Sequence, residues 1–117
     1  MKKKLNLLTS AQMEKLQSQH EVLSFKNDFD LVYEMQIPNG GVALLEGFIE
    51  LTKNHTSHEF LPPGCLLGVH HILNEEPVSY GCKIKKNSKI IILGKSEILE
   101  SVRNKRSSLF QILKNYF

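Results

Sequence analysis

Between Leu61 and Cys82 the chain contains neither lysine nor arginine. Cysteine is nearly as scarce. Cys65 and Cys82 are the only two, and without Cys-x-x-Cys spacing they provide neither a metal knuckle nor a disulfide scaffold. They read as free, buried thiols of a reducing cytoplasm. No apolar run approaches the roughly 20 residues of a membrane span. The opening "MKKKLNLLTSAQMEKL" starts like a signal peptide, but its apolar stretch is short and runs into Gln, Glu and Lys, so neither export nor membrane attachment is expected. A dense basic stripe is also missing. Residues 1–59 carry six Lys against eight Asp or Glu, and residues 60–117 nine Lys or Arg against four Glu, too dilute for a nucleic-acid binder. No Ser/His/Asp or Cys/His arrangement is supported by spacing, so no catalytic residue is assigned and an enzyme is not expected.

At 117 residues, with 41% hydrophobic and 23% charged side chains, the chain is sized and composed as one globular domain, 1–117. It divides into three zones. Thr9-Ser10-Ala11-Gln12 has capping-box spacing, and Met13, Leu16, His20 and Leu23 follow at helical intervals. That pattern predicts a helix from about Ser10 to about Leu23 within residues 9–24. His20, on its core side, is expected to be a satisfied polar group rather than a ligand. Residues 25–94 read as β. Strand-like runs "LVYEMQI", "GVALLEGFIELT" and "KIIIL" alternate with turn signals such as Pro38-Asn39-Gly40-Gly41, Pro62-Pro63-Gly64 and Lys86-Asn87-Ser88. Tyr80, Cys82 and Ile84 alternate with Gly81, Lys83 and Lys85, as in a strand with one solvated face. Residues 95–117 are helical again, with an apolar stripe at Ile98, Leu99 and Val102, a polar break over 103–106, and capping-box spacing at Ser108 and Gln111. The expected fold is therefore mainly β: a jelly-roll sandwich of about eight short strands, flanked by an N-terminal helix and C-terminal helices.

That layout, and several local motifs, resemble the cyclic-nucleotide-binding domain family. "LLEGFIELTKN" resembles the family's strand–Gly–strand segment, with Gly47 as the glycine. "LPPGCLLG" resembles its Pro-Gly-Asp-x-Phe-Gly approach to the phosphate-binding cassette: Pro63 and Gly64 match, Cys65 replaces Asp, and Gly68 is the cassette glycine. The register continues through Pro77 and "CKIKKNSKIIILGKSEILESV", so the resemblance spans nearly the whole chain.

The resemblance implies a pocket at Gly68, Val69, His70, His71, Val78, Ser79 and Tyr80. It also implies that two of its tools are missing. Val69 stands where a ribose-binding glutamate is usual and Val78 where a phosphate-binding arginine is usual, while Ser79 and Tyr80 replace a small pair. Tyr80 is expected to fill space that a ligand needs. Binding of cAMP or cGMP is therefore not expected, and no cofactor is implied.

His70-His71, read as adjacent strand residues, would point to opposite faces and rarely share a metal; no metal site is assigned. Alternatives to weigh are a cupin-like metal-dependent enzyme, and a receptor for another nucleotide, such as a cyclic dinucleotide, or for another anion held by one of these histidines. Lys83, Lys85, Lys86 and Lys89 read as a solvated hairpin whose charges discourage edge pairing. The chain ends without the DNA-reading helices that follow this domain in transcription activators, so a cytoplasmic, non-enzymatic regulatory or protein-interaction module is expected. Its contact surface, for a protein partner or a homodimer, is expected on the C-terminal helix at Leu109, Phe110, Ile112, Leu113, Tyr116 and Phe117. The competing arrangement is that both flanks of that helix are buried.

Overall fold

A computed structural model describes residues 7–32, 35–54 and 56–116. The first helix, α1 (Ser10–Gln19), begins with the capping box its spacing predicts. Gln12 N–H donates to Thr9 Oγ1 at 3.1 Å, and Thr9 N–H donates to Gln12 Oε1 at 2.8 Å. It stops sooner than periodicity alone implies. Leu23 is recruited into a strand opposite Ile90, so the chain is extended from His20 onward. His20 is satisfied, as expected: its Nδ1 meets the Leu16 carbonyl at 2.9 Å, and its Nε2 meets the Glu97 carboxylate.

Eight strands follow among the described residues: β1 (Leu23–Phe25), β2 (Phe29–Val32), β3 (Gly40–Glu46), β4 (Ile49–Lys53), β5 (Thr56–Leu61), β6 (Leu66–Leu67), β7 (Gly81–Ile84) and β8 (Ser88–Gly94). They form two four-stranded antiparallel sheets, in the orders β1-β8-β3-β6 and β2-β7-β4-β5. The mainly β sandwich is as expected, but not every run behaves as read. In "LVYEMQI" the strand ends at Val32 and Met35 turns with φ 70°, while Tyr33 and Glu34 lie outside the described residues. Gly47 is needed between β3 and β4. Its φ is +90°, and a Cβ there would lie 2.7 Å from Ser88 Cα. The buried Ser88 hydroxyl uses that approach, accepting from Phe48 N–H at 3.1 Å and donating to Phe48 O at 3.3 Å.

Four helices complete the fold: α1, α2 (Val69–Asn74), α3 (Lys95–Arg103) and α4 (Ser108–Leu113), the last followed by a 3-10 turn over Lys114–Tyr116. The strand β8 shows why the "KIIIL" run is continuous rather than alternating. Ile90 packs between the sheets with Leu44, Ile49, Cys82 and Ile84. Ile91 and Leu93 point the other way, into a core shared with Leu16, Ile72, Ile98 and Leu113 of the helices. One sheet is therefore covered on both faces. The outer face of the other is wet, with Lys83 near Asp30 at 3.9 Å and Glu50 beside Lys83 in register.

The C-terminal helices differ in detail from their sequence reading. On α3 it is Ile98 and Ser101 that are buried, whereas Leu99 and Val102 are exposed. The cap of α4 is Ser107, whose hydroxyl accepts from Phe110 N–H at 3.0 Å, not Ser108. Most consequentially, Leu109, Ile112 and Leu113 are core residues. Phe110 and Tyr116 are half-buried, Tyr116 packing against the same core, and Phe117 lies outside the described residues. The wide exposed apolar surface expected on this segment is not there, because a six-residue helix resting on the sheet has little circumference left over.

The burial pattern fixes two outcomes. Leu113 is 0% exposed and Leu99 is 38% exposed. Leu113→Ala is expected to cost about 2–5 kcal/mol in urea unfolding and Leu99→Ala below about 1 kcal/mol; equal costs would show that α4 does not seat on the core. Burial also pushes the thiols of Cys65 and Cys82 up to about 12. Both should resist alkylation by iodoacetamide at neutral pH and react once the protein is unfolded. Rapid labelling of the native protein would contradict this packing.

Candidate functional site

Directly after β6 a short helix, α2, begins, and its buried residues Val69 and Ile72 join the helical core. Gly68 is its N-cap, with φ +89°; a Cβ there would approach Gly40 O to 2.9 Å, so glycine is required by both backbone angle and space. Gly41 lets the helical layer come close, since a Cβ on it would stand 3.2 Å from both Val69 Cγ2 and Ile98 Cδ1. At its far end α2 stops at Glu75, whose φ of 52° is a left-handed cap, and Glu76 N–H returns to His71 O at 2.9 Å.

The residues singled out in sequence separate into three groups. Gly68, Val78 and Tyr80 line a cavity together with Leu31, Pro38, Gly40, Val42, Leu67 and Cys82. Its volume is about 20 Å³, room for about one water molecule. Val69 is not in it. That side chain is 2% exposed and packs into the helical core on the opposite side of the sheet. Its place in the expected pocket is therefore corrected: the first position of α2 points toward α3, not between the sheets. His70 and Ser79 are exposed at the surface, and His71 is half-buried.

The histidines also need correction. They lie on a helix, not a strand, and their rings meet edge to face at 5.9 Å. His71 in turn sits edge-on to the Tyr80 ring at 5.9 Å. That contact, between residues nine apart in sequence, has no signal in spacing. Burial, reinforced by the neighbouring His70, lowers the pKa of His71 and favours its neutral form. His70 is pinned elsewhere: Asn74 Nδ2 lies 3.1 Å from its Nδ1 and donates to its carbonyl at 2.9 Å, and Glu76 stands 4.0 Å from its Nε2. Neither ring lines the cavity, and no group of three or more metal-ligating side chains occurs among the described residues.

Tyr80 closes the cavity from the β7 side. It packs against the inter-sheet core, and burial pushes its hydroxyl up to about 12, so the phenol is neutral. Val78 is 2% exposed, and its backbone is fastened by Val78 N–H to Gln36 O at 2.9 Å and Met35 N–H to Val78 O at 2.8 Å. The chain entering the site is thus hydrogen-bonded to the chain leaving β2.

The nearby lysines do not supply a free cationic patch. Lys85 donates to Asp28 at 2.8 Å, which holds that carboxyl below its ordinary range. Lys89 lies 3.6 Å from Glu46. The hairpin reading is corrected: β7 pairs with β2 and β4, and β8 with β1 and β3, so Lys83 and Lys89 lie on interior strands of different sheets and Lys85 and Lys86 on the link between them. No helix among the described residues is long and apolar enough to cross a membrane.

No protein-family profile matches the chain, and no curated protein matches it in sequence. Solved structures do match. A protein of a cyclic-GMP-dependent signalling pathway that regulates bacterial phytopathogenesis is similar with a TM-score of 0.73 and 17% identity, over 94% of this chain and 91% of that one. The Thermus thermophilus catabolite activator protein is similar with a TM-score of 0.65 and 16% identity, over 84% of this chain and 48% of its own, so this chain spans about half its length. The regulatory subunit of a cAMP-independent protein kinase A from Trypanosoma cruzi, bound to guanosine, is similar with a TM-score of 0.62 and 14% identity, over 87% of this chain and 38% of that one. At such identities the likeness is one of shape. Two antiparallel sheets, a six-residue helix hung from Gly68 and this agreement in shape establish that the chain has the cyclic-nucleotide-binding fold.

Proposed function

We propose that this chain is a single-domain, cytoplasmic, non-enzymatic regulatory module that acts through protein contact, and that its own side chains occupy the place where a cyclic nucleotide would sit. One observation carries the reading. The space enclosed by Gly68, Val78 and Tyr80 is about 20 Å³, whereas a small-molecule site needs about 300 Å³ or more. Electrostatics point the same way. No cation lines that space among the described residues. Lacking a cation opposite a buried phosphate costs about 2–5 kcal/mol, or about 30- to 4,000-fold in affinity. His71, driven toward neutrality, does not substitute. The free state of both cysteines supports a reducing compartment. The similar proteins are, by their names, a signalling-pathway protein, an activator and a kinase regulatory subunit, which supports a regulatory role.

Calorimetry with cAMP and cGMP tests the reading directly: no heat of binding is expected at micromolar concentrations. Low-micromolar affinity for either nucleotide would end it. The converse experiment is Val78→Arg combined with Tyr80→Ala, which supplies a cation and opens volume. If the variant keeps its circular dichroism, its affinity for cAMP should rise by about tenfold or more over wild type; a folded variant with no gain would show that this is not the place of the phosphate. Val69 is left unchanged, because a glutamate there would enter the helical core.

The protein contact is proposed for the outward flank of the last helical segment. With Leu109, Ile112 and Leu113 buried, Phe110, half-buried, is the apolar side chain of α4 that still reaches its surface. Phe110→Glu should leave the melting temperature within a few degrees of wild type and reduce any self-association seen by light scattering. An unchanged mass distribution would remove this flank as a homodimer contact.

A further inference from the structure

Beyond the end of β1 the sandwich is open. β1 accompanies β8 only as far as the Leu23–Ile90 pair, while β3 follows β8 to Gly94. The outer edge of Ile91–Gly94 therefore has no strand beside it among the described residues. The facing strand, β2, ends at Val32. Between them lies a groove of about 490 Å³, within the roughly 300–1,000 Å³ range of small-molecule sites. Its floor is Val42, buried, and in register with Ile92 on the face between the sheets. Leu31 and Ile37 add apolar lining. Ile37 and Ile92 are 50% and 43% exposed, two large aliphatic side chains left wet at the mouth of a cavity. Asn39 brings a side-chain amide, and no charged side chain lines the groove among the described residues.

We propose that this groove binds an uncharged small molecule with an apolar body and one amide- or carbonyl-type end. The described lining, which carries no charge, does not offset the desolvation of an ionised ligand, so nucleotides and other anions are disfavoured there. The Asn39 carboxamide both donates and accepts, and matches a group of the same kind. The position also gives the ligand an effect. Leu31, Gly40 and Val42 line both this groove and the small cavity under α2. Gly40 O is the atom that Gly68 must clear. A ligand resting on this floor bears on the strand that seats the short helix.

N-phenyl-1-naphthylamine, an uncharged apolar fluorophore, serves as the probe. Wild type should show saturable enhancement at one site. Ile92→Glu and Ile37→Glu, both at exposed positions, should keep the wild-type circular dichroism and weaken binding by about tenfold or more, because each places a charge at the groove. Phe60→Glu is the control: an equally exposed apolar side chain, 54%, on the edge strand β5 of the other sheet. It should leave the affinity unchanged. The sulfonated anionic analogue, 1-anilinonaphthalene-8-sulfonate, should bind at least about tenfold more weakly. Absent saturation in wild type, undiminished binding in both isoleucine variants, an equal loss in Phe60→Glu, or equal affinity for the anionic analogue would each overturn the proposal.

Discussion

The pairing of β3 with β8 is the constraint on which the rest of the molecule depends. It runs from the Gly40–Gly94 pair to Leu44–Ile90 before a bulge, and both of its faces carry buried side chains, with Ile92 the wet exception. On one face Val42, Leu44 and Ile90 meet the second sheet; on the other Ala43, Ile91 and Leu93 meet the helices. A ladder sealed on both sides cannot slip, since a one-residue shift would exchange the two sets. Its register decides where Gly41 falls, and Gly41 is the point at which Val69 of α2 and Ile98 of α3 come within contact of the sheet. The helical layer and the inter-sheet space are thus two outcomes of one strand pairing.

That rigidity explains how the space under α2 is closed. The distance between the sheets is set by residues away from it, such as Ile49, Ile84 and Ile90, all fully buried. Without a charged ligand and its cation, the volume must be filled by apolar groups or by water lacking enough polar partners. Val78 and the neutral ring of Tyr80 fill it, with His71 braced edge-on against that ring. The Tyr80 ring, packed against the inter-sheet core and edge-on to His71, joins α2 to the start of β7.

Much of the fold is legible in the sequence, because its signals are local and physical. Thr9 and Gln12 cap α1 as their spacing implies, and Gly47 and Gly68 stand where no side chain fits. What is not legible depends on competition over distance. Leu23 continues a helical period, yet it belongs to a strand because Ile90 offers a partner 67 residues later. The histidine pair could not be placed on a helix by pattern, as a six-residue segment has too few turns to show a period. Val69 matches a pocket position by alignment and faces the core, because register along a chain does not fix the direction of a side chain at a helix's first residue. The C-terminal helix has more apolar residues than one stripe needs, but sequence cannot say that the core shared by the sheet and the other helices would take Leu109, Ile112 and Leu113. Ile92, in the middle of an apolar run, gave no sign of being the one wet member of it.

The parts of the sequence that agree with the fold and the parts that depart from its usual chemistry are of different physical kinds. Glycines at +89° and +90°, prolines at turns and the period of the strands act on the backbone, and a change in any of them alters the path of the chain. Val78 and Tyr80 act only on the contents of a space whose walls are already fixed. A change of side chain at either position alters what that space can hold but leaves the ladder, the bulges and the caps as they were, provided the volume is filled. The open groove beside β8 shows the complementary case. It is bounded by β8 beyond the end of β1 and by residues 36–40, yet nothing in the described chain fills it. Two adjoining spaces share Leu31, Gly40 and Val42, and one is packed by the protein while the other is not. Packing against the first stabilises α2 from below, so the second is where an outside molecule can still reach the strand that carries it.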